Sequence, residues 1–204
     1  MLQTAAFAAN LILAMCEFYT LKQLKNKRDI LKYYTYLQNF LALISSLVFC
    51  VCCAAAIAGG QAVPEWVKGL RYVATTGLVS AMVIFVLFLG GGKHIAMTED
   101  DFLNRFSPGT ANLLLHYVCP LLSVVSFLVL ERGIRLSSGI WTGIVAVPSC
   151  LYWIVYLLLS LTNAWEEPYH FGEKEGDGRF SGYLPFLLMP LFFVGISFLL
   201  WNIM

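Results

Sequence analysis

Charged side chains are the scarcest class in this 204-residue sequence. Asp, Glu, Lys and Arg together make up 12% of it, whereas 59% of the residues are hydrophobic and the mean hydropathy is +0.75. Because soluble domains carry about 25% charged residues, this shortage excludes an ordinary water-soluble protein. The formal net charge of +1 offers no basic face for nucleic acid. We predict an integral membrane protein whose partners are membrane lipids, and the oligomeric state stays open.

Long polar stretches are also missing, which leaves no room for a separate water-soluble domain. Six apolar stretches are long enough to cross the hydrocarbon core, which takes about 20 helical residues each. These stretches cover residues 3–21, 33–58, 70–91, 109–131, 138–162 and 182–203. The predicted fold is therefore all-α: a polytopic membrane protein in which residues 1–204 form a single domain of six transmembrane helices.

Metal-ligand patterns are absent from the sequence as well. The six cysteines all lie in apolar runs, where a thiol behaves as a small hydrophobic group. Cys50, Cys52 and Cys53 are crowded, but neither a histidine nor a second thiol pair lies at ligand spacing. We predict no metal and no cofactor.

The basic residues are unevenly divided between the predicted connections. Of the 13 Lys and Arg residues, nine fall in the odd-numbered connections and four in the even-numbered ones. The even-numbered connections contain Lys68, Arg71, Arg132 and Arg135. Because Lys and Arg are enriched in cytoplasmic loops, this bias predicts that the odd-numbered connections face the cytoplasm.

Polar side chains inside the predicted spans collect at one end of the bundle. They lie early in the second span (KYYTYLQNF), in the fourth (NLLLHYVCP) and at the start of the sixth. The set comprises Thr35, Gln38, Asn39, Asn112, His116 and Tyr183. Since successive helices run antiparallel, all six lie toward the odd-numbered connections. Side chains four residues apart share a helix face, so the pattern predicts a polar pocket at this end.

His116 is the most informative of these residues, because a titratable group at membrane depth is costly and usually has a task. Pro120 follows it by four residues and lacks an N–H, which removes the hydrogen bond to the His116 carbonyl. We expect a kink there, of the kind tolerated where backbone lines a cavity. Glu17, by contrast, is expected to reach the interface and pair with Lys22 or Lys25.

A threonine hydroxyl beside a neutral imidazole is the minimum arrangement for nucleophilic acyl transfer. Thr35 would attack and His116, with a reference pKa near neutrality, would take its proton. The amide of Asn39 or Asn112 could hold the developing oxyanion. Cys119, three residues after the histidine, is the rival nucleophile.

Two further side chains, Gln38 and Tyr183, are candidates for binding substrate. The sequence places no carboxylate next to the imidazole to orient it, and a tyrosine, a backbone carbonyl or the distant Glu17 could do so.

Four short motifs resemble one family: KYYTYLQN, LRYVATTGL, NLLLHYVCPLL and the late YLPF. They are similar to the androgen-induced family of six-helix membrane proteins and its bacterial relatives. The resemblance implies a threonine-type hydrolase of fatty-acyl esters in a bacterial plasma membrane. By motif, it assigns the nucleophile to Thr35 and the base to His116.

A non-enzymatic function is the alternative. In a small transporter, a ligand-binding subunit or a scaffold, the same Thr, Asn and His cluster would lock helices together or bind a ligand, since interhelical hydrogen bonds of this kind are common packing interactions. Tyr152, Trp153 and Tyr156 in the fifth span are expected to pack inside the bundle.

Overall fold

The computed structural model describes residues 2–22, 32–88, 113–132, 136–165 and 189–204. Over these ranges the chain is helical, with short turns and without a strand. The helices are α1 (Leu2–Lys22), α2 (Tyr34–Gly59), α3 (Glu65–Phe88), α4 (Leu114–Leu130), α5 (Ile140–Leu161) and α6 (Met189–Ile203). The all-α prediction is confirmed.

Four of these helices, α1, α2, α3 and α5, are long and apolar enough to cross a membrane. The shorter apolar helices α4 and α6 overlap the other two predicted spans, of which residues 109–112 and 182–188 lie outside the described part of the chain. By length and composition, the helices are compatible with an integral membrane protein.

The distribution of side chains between surface and interior also favours a membrane protein. Large apolar side chains point outward, with Val51 71% and Leu191 70% exposed. Several charged side chains are inside, and Glu17 and Arg71 are both 0% exposed. This arrangement reverses the pattern of water-soluble proteins, in which Glu and Arg are almost never fully buried unless paired.

The bundle has two packing regions. The first joins α1 to α2, α2 to α3, and α4 to both α1 and α3. In the second, α6 packs against α3 and α5 around an aromatic cluster. Tyr34, Tyr152, Trp153, Tyr156 and Phe193 are its buried rings. The expectation that the three aromatic residues of the fifth span pack inside the bundle is confirmed.

The predicted start of the third span is wrong. The helix begins at Glu65, five residues before the predicted position 70, so Lys68 lies inside α3. Arg71, which was counted with the connection although it is the second residue of the predicted span, lies inside α3 as well. Both side chains are buried, at 3% and 0% exposure. Hydropathy placed these cations in a connection because it counts the cost of each charge alone, whereas in the fold both of them are hydrogen-bonded to Glu131.

The fifth span is interrupted where the sequence predicted one uninterrupted helix. It consists of Ile140–Ile144 and Ala146–Leu161, separated at Val145. Pro148 explains the break, because it has no N–H to donate to the carbonyl of Ile144 four residues earlier.

Gly77 permits a close approach of α2 and α3. A methyl group at this position would collide with the side-chain amide of Gln38, which is 1% exposed. We expect Gly77→Ala to lower the free energy of unfolding by about 1–3 kcal/mol, the usual cost of overpacking. Thermal unfolding in detergent would measure the change.

Gly195→Ala in α6 is the matched control, because a Cβ there meets no described atom within 4 Å. It should be neutral or stabilise the helix by up to about 1 kcal/mol. Equal losses of stability in the two variants would contradict the close approach at Gly77.

Candidate functional site

The helix that carries His116 is irregular at that residue. Leu114–Val118 forms a π-helical turn, in which the N–H of Cys119 donates to the carbonyl of Leu114, five residues back. Pro120 lies just beyond this turn and has no N–H for the carbonyl of His116. The sequence predicted a kink at His116, and the structure has a π-helical turn there, a form that often occurs at functional sites.

The His116 imidazole is held by ring packing. It stacks on Phe85 of α3 with a centroid separation of 3.6 Å and an interplanar angle of 11°. The side chain is 7% exposed, and its Nδ1 has no hydrogen-bond partner among the described residues. The ring is thus packed against Phe85, and one of its nitrogens is buried without a partner among the described residues.

Thr35 lies in the first turn of α2 and is half-buried. The Nδ2 group of Asn39 donates to the Thr35 carbonyl at 2.7 Å, which joins the two residues along one helix face. An amide has two N–H groups, so one remains for an oxyanion. The Oδ1 atom of Asn39 has no partner in the part of the chain that the structure describes.

The second and fourth helices are neighbours, because α2 contacts the π turn of α4. Thr35 and His116 can meet only if these two helices are neighbours, which hydropathy alone could not show. Within the described residues, however, no hydrogen bond joins the Thr35 hydroxyl to the imidazole. Such bonds are often long or absent in enzymes without substrate.

The contacts of α2 and α4 with α1 place Thr35 and His116 at a similar level along the bundle. Asn10 of α1 bonds to Ser126 of α4 at 3.0 Å. The two helices run antiparallel. Glu17, seven residues after Asn10, therefore lies level with Cys119, seven residues before Ser126, and the two side chains are adjacent. His116 lies three residues, about one turn, before Cys119.

The contact between α1 and α2 completes the register. The thiol of Cys50 donates to the carbonyl of Phe7 at 3.7 Å. Glu17 lies ten residues after Phe7 on α1, and Asn39 lies eleven residues before Cys50 on α2. Glu17 and Asn39 are therefore at about the same level. Thr35 lies one turn before Asn39, so it is at about the level of His116.

The remaining candidates are placed as follows. Gln38 is buried at the contact of α2 with α3, and its Nε2 has no partner within the described ranges. Cys119 is fully buried beside Glu17. Asn112 and Tyr183 lie outside the described residues.

Glu17 does not reach the interface, so that part of the expectation is wrong, and Lys25, one of its two expected partners, lies outside the described residues. The Glu17 side chain is 0% exposed, and neither carboxylate oxygen has a hydrogen-bond partner among the described residues. Helical geometry explains the burial, because Glu17 follows Asn10 by seven residues and therefore shares its inward face.

A buried ion pair was missed by the sequence analysis. Nε of Arg71 lies 3.3 Å from Oε1 of Glu131, and both side chains are 0% exposed. Asn10 Nδ2 and Ser126 Oγ each donate to the same oxygen at 2.9 Å. Lys68 Nζ donates to the Glu131 carbonyl at 2.7 Å. The Glu131 carboxylate is therefore paired with the Arg71 cation inside the bundle.

The rest of the Arg71 guanidinium is bound by hydroxyl groups. Its terminal nitrogens donate to Ser46 and Ser123, each at 3.2 Å. Ser123 also shares a hydrogen bond of 2.8 Å with Thr75. A signal for this network existed in the sequence, because Asn10 interrupts an otherwise apolar stretch in the middle of the first span.

The fold and this interior define an all-helical bundle with an apolar surface and a buried polar core. Comparisons with known protein families, with curated proteins and with solved structures find no match for the chain. The resemblance to the androgen-induced family accordingly stays a prediction from the motifs.

Proposed function

We propose that this protein hydrolyses a fatty-acyl ester of a lipid within the membrane, with Thr35 as the nucleophile and His116 as the base. The observation that carries the proposal is the imidazole itself. It is stacked on Phe85, one of its nitrogens has no partner among the described residues, and it belongs to a π turn in contact with the helix that bears Thr35.

The reaction would run in two steps. His116 accepts the proton of Thr35 as the Oγ1 atom attacks the acyl carbon, and the amide of Asn39 or Asn112 donates to the oxyanion. The alcohol leaves with the proton from the imidazolium, and an acyl-threonine ester remains. Water, deprotonated by the same imidazole, then attacks that ester and releases the fatty acid and the free Thr35 hydroxyl.

The membrane setting suits such a substrate. Thr35 is half-buried at a helix start, within reach of a lipid that enters sideways from the bilayer. We further propose six spans in a bacterial plasma membrane, with the odd-numbered connections in the cytoplasm. The burial of Lys68 and Arg71 in α3 removes two cations from the even-numbered connections and so strengthens the charge bias.

A fluorophosphonate probe tests for the activated hydroxyl, because it reacts covalently with a nucleophile that has an adjacent base. We expect labelling of the purified wild-type protein and of Cys119→Ala, and loss of labelling in Thr35→Ala and His116→Ala. Thr76→Ala is the matched control, since the Thr76 hydroxyl is also buried but bonds to its own helix at 2.9 Å. Labelling that survives Thr35→Ala would contradict the proposal.

A non-enzymatic function is the second candidate, and the extent of the buried polar interior favours it. Asn10, Glu17, Gln38, Asn39, His116 and Glu131 each contain a buried side-chain atom without a hydrogen-bond partner among the described residues. Such atoms are typical of ligand or ion pathways in membranes. A small transporter, ligand-binding subunit or scaffold would form no acyl adduct, and substitutions in the cluster would alter transport or stability.

A further inference from the structure

The bundle buries two glutamates, Glu17 and Glu131, which differ in whether their carboxyl groups are hydrogen-bonded. Glu131 accepts hydrogen bonds from Arg71, Asn10 and Ser126. Glu17 is equally buried, at 0% exposure, but neither of its oxygens has a hydrogen-bond partner in the described ranges. An ionised carboxylate is stable inside a low-dielectric interior only if it is paired. The structure supplies that pairing at Glu131 and not at Glu17.

The groups around Glu17 are uncharged acceptors and weak donors. Asn39, level with it on α2, is 0% exposed and has an unpartnered Oδ1. Asn39 also precedes Cys50 by eleven residues, about three turns, so both face α1. On α4, the Cys119 thiol lies beside the carboxyl group. By this register the Glu17 carboxyl and the Asn39 amide oxygen lie at one level, and neither has a hydrogen-bond donor among the described residues.

Among the described residues, few titratable or charged groups face this position from the surrounding helices. They are Cys16 on α1 itself, Cys119 and, one turn away, His116 on α4, and Arg71 on α3. Arg71 directs its N–H groups to Glu131, Ser46 and Ser123, and no described hydrogen bond from it reaches Glu17. Within the described residues, α2 contributes the neutral amide of Asn39.

We propose that Glu17, Asn39 and Cys119 form a buried proton-binding site. Glu17 takes a proton from water and holds it as a neutral carboxylic acid, which donates to Oδ1 of Asn39, while the Cys119 thiol donates to the other carboxyl oxygen. Protonation removes the unpaired charge of the carboxylate and at the same time gives the Asn39 amide oxygen a hydrogen-bond donor. The site goes beyond the proposed hydrolysis, because a proton held here serves a hydrolase or a transporter equally.

A hydrophobic carbodiimide tests this assignment on the purified full chain in detergent. Dicyclohexylcarbodiimide reacts with carboxylic acids. The carboxyl oxygen bonds to the carbodiimide carbon, the proton moves to nitrogen, and rearrangement to the N-acylurea retains every atom of the reagent. We expect peptide mass mapping at neutral pH to find the adduct on Glu17 in preference to Glu131, and to lose it in Glu17→Gln. Equal modification of both glutamates, or none at Glu17, would overturn the proposal.

Infrared spectroscopy supplies a measurement that does not depend on entry of a reagent. The carbonyl band of a protonated carboxylic acid is expected in the wild type, absent in Glu17→Gln, and shifted in Asn39→Ala because the proton loses its acceptor. Glu65→Gln is the matched control and should leave the band unchanged, since Glu65, at the start of α3, accepts hydrogen bonds from Ser137 at an exposed position. Identical spectra of wild type and Glu17→Gln would refute the site.

Discussion

Replacement of Arg71 with methionine is expected to lower the free energy of unfolding by about 3–5 kcal/mol, the cost of removing one partner of a buried ion pair. The variant leaves Glu131 at 0% exposure without its cation. It also leaves the hydroxyl groups of Ser46 and Ser123 without their donor. Thermal or denaturant unfolding in one fixed detergent would measure the loss.

A double variant separates the ion pair from general damage to the core. Because Arg71→Met with Glu131→Leu leaves no unpaired charge, it should recover much of the stability lost in Arg71→Met. Arg132→Met is the matched control, since Arg132 is exposed and should change stability by less than about 0.5 kcal/mol. A double variant as unstable as the sum of its single variants would show that the two side chains act independently.

The helices could be predicted closely from the sequence where apolar length alone determines them. The second span was expected over 33–58 and the helix is Tyr34–Gly59. Membrane thickness limits the length of such a segment, so the prediction requires no knowledge of its neighbours. The same local reasoning led us to expect a kink at His116, because the effect of Pro120 acts four residues away on one helix, but it did not predict that the helix forms a π turn there.

The polar interior could not be predicted in the same way, because it depends on contacts between distant residues. Arg71 and Glu131 are 60 positions apart in sequence. A hydropathy scale counts the cost of burying each charge alone and therefore predicts that both residues lie at helix ends. Burying the two charges as a pair costs far less than burying each of them alone. Glu17 was misplaced for a related reason, since only the shared face with Asn10 indicates that it points inward.

Hydrolysis of a lipid ester should depend on Thr35 and His116 far more than on any neighbouring residue. We expect His116→Ala to lower kcat by about 10²–10⁴-fold, the usual contribution of a positioned general base. Thr35→Ala should reduce turnover to background, and Thr35→Ser should retain part of the activity because it keeps a hydroxyl at the same position. Release of fatty acid from a fluorescent acyl ester in mixed micelles would measure these rates.

Phe85→Leu is the variant that separates chemistry from positioning. It removes the ring stacked at 3.6 Å on the imidazole while it leaves His116 in place. We expect a smaller loss of kcat than in His116→Ala, because the base is still present but less well oriented. Full activity in Thr35→Ala together with inactivity in Cys119→Ala would transfer the nucleophile to Cys119. Unchanged rates in all five variants, each shown to be folded, would mean that the turnover does not depend on the assigned residues and would instead favour the non-enzymatic function.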